Sequence, residues 1–121
     1  MITSGAIMYA SALKSEIAFS AVRPGVPCEE IDRAARDYLT ARGYGEAFFH
    51  RVGHGLGLAV HEEPYLVAGN DLPLAEGMTF SDEPGVYFPG KFGIRIEDTV
   101  VVTADGGEKL NHATRALTIL S

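Results

Sequence analysis

GHGLGLAVHEEP at residues 53–64, with DEPGVY at 82–87 and GIRIEDT at 93–99, is the stretch that decides the fold. Glycine at 53, 55 and 57 opposes a helix. The alternation suits an extended backbone that another part of the molecule approaches closely. The apolar run at 78–80 leads to Glu83, and Pro84-Gly85 kinks the chain immediately after it. Ile94–Val102 reads as one strand, with Arg95, Glu97 and Thr99 on one face and Ile94, Ile96 and Asp98 on the other. Its apolar end, Val100–Val102, predicts a central position in a sheet.

Further short strands are predicted at Met78–Ser81, Val86–Phe88 and Ala116–Leu120. Asn70-Asp71, Pro89-Gly90 and Asp105-Gly106-Gly107 supply turn signals. Upstream the period changes. Residues 1–23 lack proline before position 24, and Ile7, Ala10, Leu13, Ile17 and Val22 suit one helix face. RPGVP at 23–27 ends that helix. A second helix is predicted from about Cys28 to Arg42. Glu29 and Glu30 lie in its first turn, where the dipole favours anions, and Gly43 lies just past its end. Ile31, Ala34, Ala35, Tyr38 and Leu39 form its apolar stripe. Helices followed by strands imply an α+β fold in one domain, residues 1–121, with an antiparallel sheet packed against two helices.

The balance of 10 basic against 16 acidic residues, with no basic run, argues against nucleic acid and anionic membranes as partners. No apolar run is long enough to span a bilayer, and the first residues do not read as a signal peptide. A single cysteine, Cys28, excludes an intrachain disulfide and a cysteine-rich zinc site, and reads as a small buried residue near a helix start. A cytoplasmic location is the expectation.

His54, Glu83 and Glu97 each offer a nitrogen or oxygen ligand in a glycine- or proline-constrained setting, the donor set that a hard or borderline divalent metal takes. Taken alone, Arg95 and Glu97 are either a buried ion pair or a metal ligand with its orienting cation. Glu83 alone could be a turn acid. His50, His54 and His61 fall within twelve residues, whereas His112 sits in a polar segment and reads as exposed. The second histidine of HExxH is missing from His61-Glu62-Glu63-Pro64, so a zincin protease is unsupported.

HRVGHGLGLAVHEEPY at 50–65 and EGMTFSDEPGVYFPGKFGIRIEDTVVVT at 76–103 resemble the prolidase and aminopeptidase P branch of the pita-bread metallopeptidases. That superfamily also contains creatinase and methionine aminopeptidase. The resemblance implies the C-terminal half of a pita-bread catalytic domain. It implies His54, Glu83 and Glu97 as metal ligands, Glu83 also as general acid/base, and His50 and His61 as imidazoles that meet substrate. Arg95 would lie beside the site. The cofactor would be a divalent metal (Mn, Co or Zn) and the substrate a peptide with proline at its second position.

Family members hold two ions with five protein ligands, two of them aspartates from a hairpin upstream of the first helix. Here no aspartate precedes Asp32, and Asp32 and Asp37 fall on the second helix. Asp82 and Asp98 neighbour the ligands but should point away from Glu83 and Glu97. The expectation is therefore a truncated Xaa-Pro peptidase domain, inactive or weakly active alone, with a homodimer or complementing chain covering its exposed edge. The alternatives are a non-catalytic metal- or peptide-binding module and an interaction domain.

Overall fold

The computed structural model describes residues 15–116 and 120. Its helices are α1, described over residues 15–20, and α2, Cys28–Ala41. After α2 comes one 3-10 turn, Gly45–Ala47. Seven strands follow: β1 (Gly53–Gly55), β2 (Glu62–Leu66), β3 (Thr79–Asp82), β4 (Gly85–Phe88), β5 (Phe92–Arg95), β6 (Asp98–Val102) and β7 (Gly107–Lys109).

Helix α2 starts where Pro27, in extended conformation, precedes Cys28. No side chain caps it. Instead the Cys28 and Glu29 N–H groups donate to the carbonyls of Leu72 and Asn70, so a distant loop satisfies the first free donors of the helix. At the other end Gly43 adopts φ +82, a conformation that costs glycine little. The buried face is Cys28, Ile31, Asp32, Ala35 and Leu39, and it packs on β2. The expected bounds, the apolar stripe and the buried Cys28 hold. Of the stripe assigned to α1, Ala18 rather than Ile17 is fully buried and Val22 joins the core; Ile7, Ala10 and Leu13 lie outside the described residues.

Five strands pair in the order β2-β1-β3-β6-β7, every pair antiparallel, and β4–β5 form a separate hairpin. Ile31 and Leu39 of α2 share one core with Phe48, Val52, Leu66, Phe80, Val86, Val100 and Val102. In β6, Asp98, Val100 and Val102 alternate as buried residues, and the strand is interior as predicted.

The single strand predicted over Ile94–Val102 is two strands. β5 ends at Arg95 and β6 begins at Asp98, in a different sheet. Between them the Ile96 N–H donates to the Pro84 carbonyl, which draws the chain across the end of the hairpin. The common face proposed for Arg95, Glu97 and Thr99 does not survive this break. Of the predicted Ala116–Leu120 strand, residues 117–119 lie outside the described residues, and neither Ala116 nor Leu120 is in a strand. Among the described residues no helix is long and apolar enough to cross a membrane.

Candidate metal centre

The centre is built where β1 runs between β2 and the β3 end. At Gly53 an added Cβ would sit 1.7 Å from the Ser81 carbonyl oxygen, and at Gly55 another would sit 2.1 Å from the Glu63 carbonyl oxygen. Both glycines are thus required by close backbone approach. His54, between them, is buried in the middle of β1.

Its ring is held at Nδ1. Nδ1 lies 3.0 Å from the Gly55 carbonyl oxygen. A carbonyl only accepts, so Nδ1 carries the proton and donates. In the neutral ring Nε2 then presents a lone pair, and 3.0 Å away lies Oε1 of Glu83. Either a proton on Nε2, making an imidazolium–carboxylate pair, or a cation bound by both atoms closes this contact. Two atoms each about 2.1 Å from one ion at a right angle are about 3.0 Å apart, so the spacing suits adjacent positions on a divalent ion. A backbone carbonyl fixing the other ring nitrogen is the usual support of a metal-bound histidine.

Glu83 is buried, unlike the turn acid that sequence alone allowed. Its N–H donates to the Val52 carbonyl at 2.7 Å. Its Oε1 accepts the Ser81 hydroxyl at 2.8 Å, and Oε2 accepts Arg95 Nη1 at 3.1 Å. Arg95 also donates from Nε to the Tyr87 hydroxyl at 2.6 Å, and that bond holds its guanidinium above the usual arginine range. Tyr87 in turn stands edge-on to His50, ring centroids 5.4 Å apart. His61 tilts against His54 at 4.3 Å between centroids. His50, Arg51, His54, His61, Glu83 and Arg95 line one concavity.

His50 repeats the histidine logic. Nδ1 lies 2.7 Å from the Arg51 carbonyl oxygen and so donates, leaving Nε2 buried and without a partner. Such a nitrogen calls for a partner, which a water or a bound group would supply.

Glu97 does not join this group. It is exposed, lines the separate concavity between Arg95 and Arg115, and forms no ion pair with Arg95, which pairs with Glu83 instead. The buried Arg95–Glu97 pair is thereby corrected, because the chain turns out of the sheet at 96–97. Among the described residues no cluster of three histidine, cysteine or acidic side chains could hold a metal ion. The pair His54–Glu83 fits a divalent ion; the three-ligand set with Glu97 is not assembled.

The neighbouring aspartates point elsewhere, as expected. Asp98 accepts from Ser15, Asn111 and Arg115, with Lys109 close by. Burial would raise its pKa, but these donors and cations win and bring it down to about 2. Asp82, its register partner across β3–β6, is fully buried and neither oxygen has a hydrogen-bond partner. Burial first, and then the Asp98 charge, push its pKa well above the ordinary range. His112 is exposed, as predicted.

Sequence reasoning missed Ser81, Tyr87 and Arg51 as members of the site. Ser81 was within reach: it stands two residues before Glu83 in an extended strand, which puts both on one face. Tyr87 required knowledge of the β4–β5 hairpin that folds it back on Arg95.

The profile of metallopeptidase family M24 matches residues 7–104. The chain is 58% identical over 103 residues to a protein called probable dipeptidase PepE in Mycobacterium tuberculosis, covering 85% of this chain and 28% of that protein. It is 53% identical over 105 residues to an Xaa-Pro dipeptidase of Lactobacillus helveticus, covering 87% of this chain and 28% of the other. The crystal structure of dipeptidase PepE from Mycobacterium ulcerans superposes with a TM-score of 0.91 at 53% identity, over 93% of this chain and 30% of that one. The chain thus spans less than a third of the length of these relatives. M24 peptidases depend on a divalent metal. The expected fold, α+β and part of the pita-bread architecture, is borne out.

Proposed function

The chain belongs to metallopeptidase family M24, and from that premise we propose that it supplies part of the active site of an Xaa-Pro dipeptidase. The 121-residue polypeptide by itself is an incomplete, inactive or weakly active form. The observation that carries this reading is the apposition of His54 Nε2 and Glu83 Oε1 at 3.0 Å, with the ring proton committed to Gly55. His54 and Glu83 would hold the divalent ion, for which Mn, Co and Zn are the candidates. Bound there, it would supply Lewis-acid polarisation and an activated water.

The chain's own residues have distinct tasks. Glu83 offers Oε1 toward the ion. Its Oε2, steadied by Arg95, is where a proton is held and passed as general acid/base. His50 meets the substrate through its free Nε2, and His61, tilted against His54, closes the other side. Arg95, fixed by Tyr87, pairs with Glu83 Oε2 and adds positive charge beside developing negative charge. Glu97 enters the centre only with a rearrangement at 96–97 or with ligands from outside this stretch. The partner that covers the unpaired sheet edge is a second copy or a complementing chain.

Hydrolysis of an Xaa-Pro dipeptide with added Mn²⁺, at high protein concentration, is the test. The expected result is metal binding with turnover absent or far below that of a full-length relative. Rapid turnover by the 121-residue chain would refute the incompleteness. The exposed Glu97 also favours a second reading, a non-catalytic metal-binding module, which predicts binding and no turnover even when the rest of a relative's chain is supplied in trans.

A further inference from the structure

Ser81 is fully buried in β3, and its hydroxyl touches both segments that carry the ligand pair. Oγ accepts the backbone N–H of His54 at 3.1 Å. The same oxygen lies 2.8 Å from Glu83 Oε1 and 3.4 Å from the His54 carbonyl. A hydroxyl has one proton, and the nearer, charged acceptor takes it. The His54 N–H therefore points into Ser81, and Ser81 points into the one carboxylate oxygen that faces His54 Nε2.

A second restraint on the carboxylate exists, but of a different kind. Arg95 reaches Oε2 with a side chain that is 46% exposed, whereas Ser81 is 0% exposed. A water-exposed ion pair holds geometry weakly, and a dry hydrogen bond holds it well. The Gly53 contact adds rigidity, because the Ser81 carbonyl is the atom that excludes a side chain there. Backbone and hydroxyl of Ser81 thus both register β1 against β3.

We propose that Ser81 is the positioning residue of the ligand pair: its hydroxyl sets Oε1 of Glu83 relative to His54 Nε2, and divalent-ion affinity depends on that hydroxyl. This rests on the reading of His54 and Glu83 as ligands. Removing an outer-shell hydrogen bond to a ligand costs about 10- to 100-fold in metal affinity.

The test uses the 121-residue chain as wild type, Ser81→Ala and Ser81→Thr, titrated with Zn²⁺ by calorimetry. In parallel, the Glu83 side-chain carboxyl carbon is followed by NMR without metal. The expected results are a Zn²⁺ affinity at least about tenfold lower in Ser81→Ala and recovery in Ser81→Thr, which keeps the hydroxyl. The metal-free carboxyl resonance should shift in Ser81→Ala alone. Equal Zn²⁺ affinity in wild type and Ser81→Ala overturns the proposal. Should the wild type bind no Zn²⁺, the metal reading fails, and the metal-free resonance decides for Ser81: a shift in Ser81→Ala supports its hold on Glu83, and an unmoved resonance overturns it.

Discussion

At Gly53 the absence of a side chain is a requirement of the site. A methyl there would overlap the Ser81 carbonyl oxygen, and β1 and β3 would have to part. Gly53→Ala should cost about 3 kcal/mol of stability, read as a drop in the urea midpoint. That demand was legible in the sequence, since alternate glycines at 53, 55 and 57 already imply close approach of another backbone. The aspartates behind the site were less legible, because only the three-dimensional pairing places Asp82 opposite Asp98. Their pH effects have opposite signs. Asp98, lowered from 3.8 to about 2, stabilises the fold above pH 3.8, and that contribution disappears as pH falls toward 2. Asp82, raised well above 3.8, binds more protons folded than unfolded, so its contribution declines as pH rises from 3.8 through the folded pKa. In urea melts at several pH values, Asp98→Asn should lose stability at neutral pH and converge with wild type near pH 2. Asp82→Asn should gain on wild type as pH is raised.

Among the elements, α2 was the most legible. Its stop signals, period and closing glycine agree, and the structure keeps those bounds. Asp32 on its buried face is the exception to the pattern. It accepts both Arg36 and the Val52 N–H, and so ties the helix to the residue entering β1. Asp32→Ala would leave the Val52 N–H without its acceptor and take the carboxylate from Arg36, which keeps only the Phe48 and His50 carbonyls. A loss of about 3 kcal/mol in chemical denaturation is expected, with Asp32→Asn losing less. The β5–β6 break was not legible, since a period of two runs unbroken from Ile94 to Val102. What interrupts it is the Ile96 N–H to Pro84 carbonyl bond, a contact between chain segments that periodicity does not encode. The exposed position of Glu97 follows directly from that break.

For the molecule as a whole, the antiparallel sheet and its helices set His54 and Glu83 in a concavity and leave apolar side chains in the open. Leu58 and Val60 in the loop before β2, and Phe49 beside Tyr87, are about two-thirds exposed or more. Together with the edge of β2, which is unpaired among the described residues, they suit a surface that another chain covers. Sedimentation at micromolar concentration should therefore give a mass above that of the 12.9 kDa monomer, and a monomer throughout would count against a dimer. The relatives share this fold over less than a third of their own length, so the chemistry proposed here is partial. The most direct measurement is a calorimetric titration of the 121-residue chain with Mn²⁺, alongside His54→Ala and Glu83→Gln. The account predicts one weak site in the wild type, lost in His54→Ala and strongly weakened in Glu83→Gln. No heat of binding in the wild type, or equal binding by His54→Ala, would contradict it.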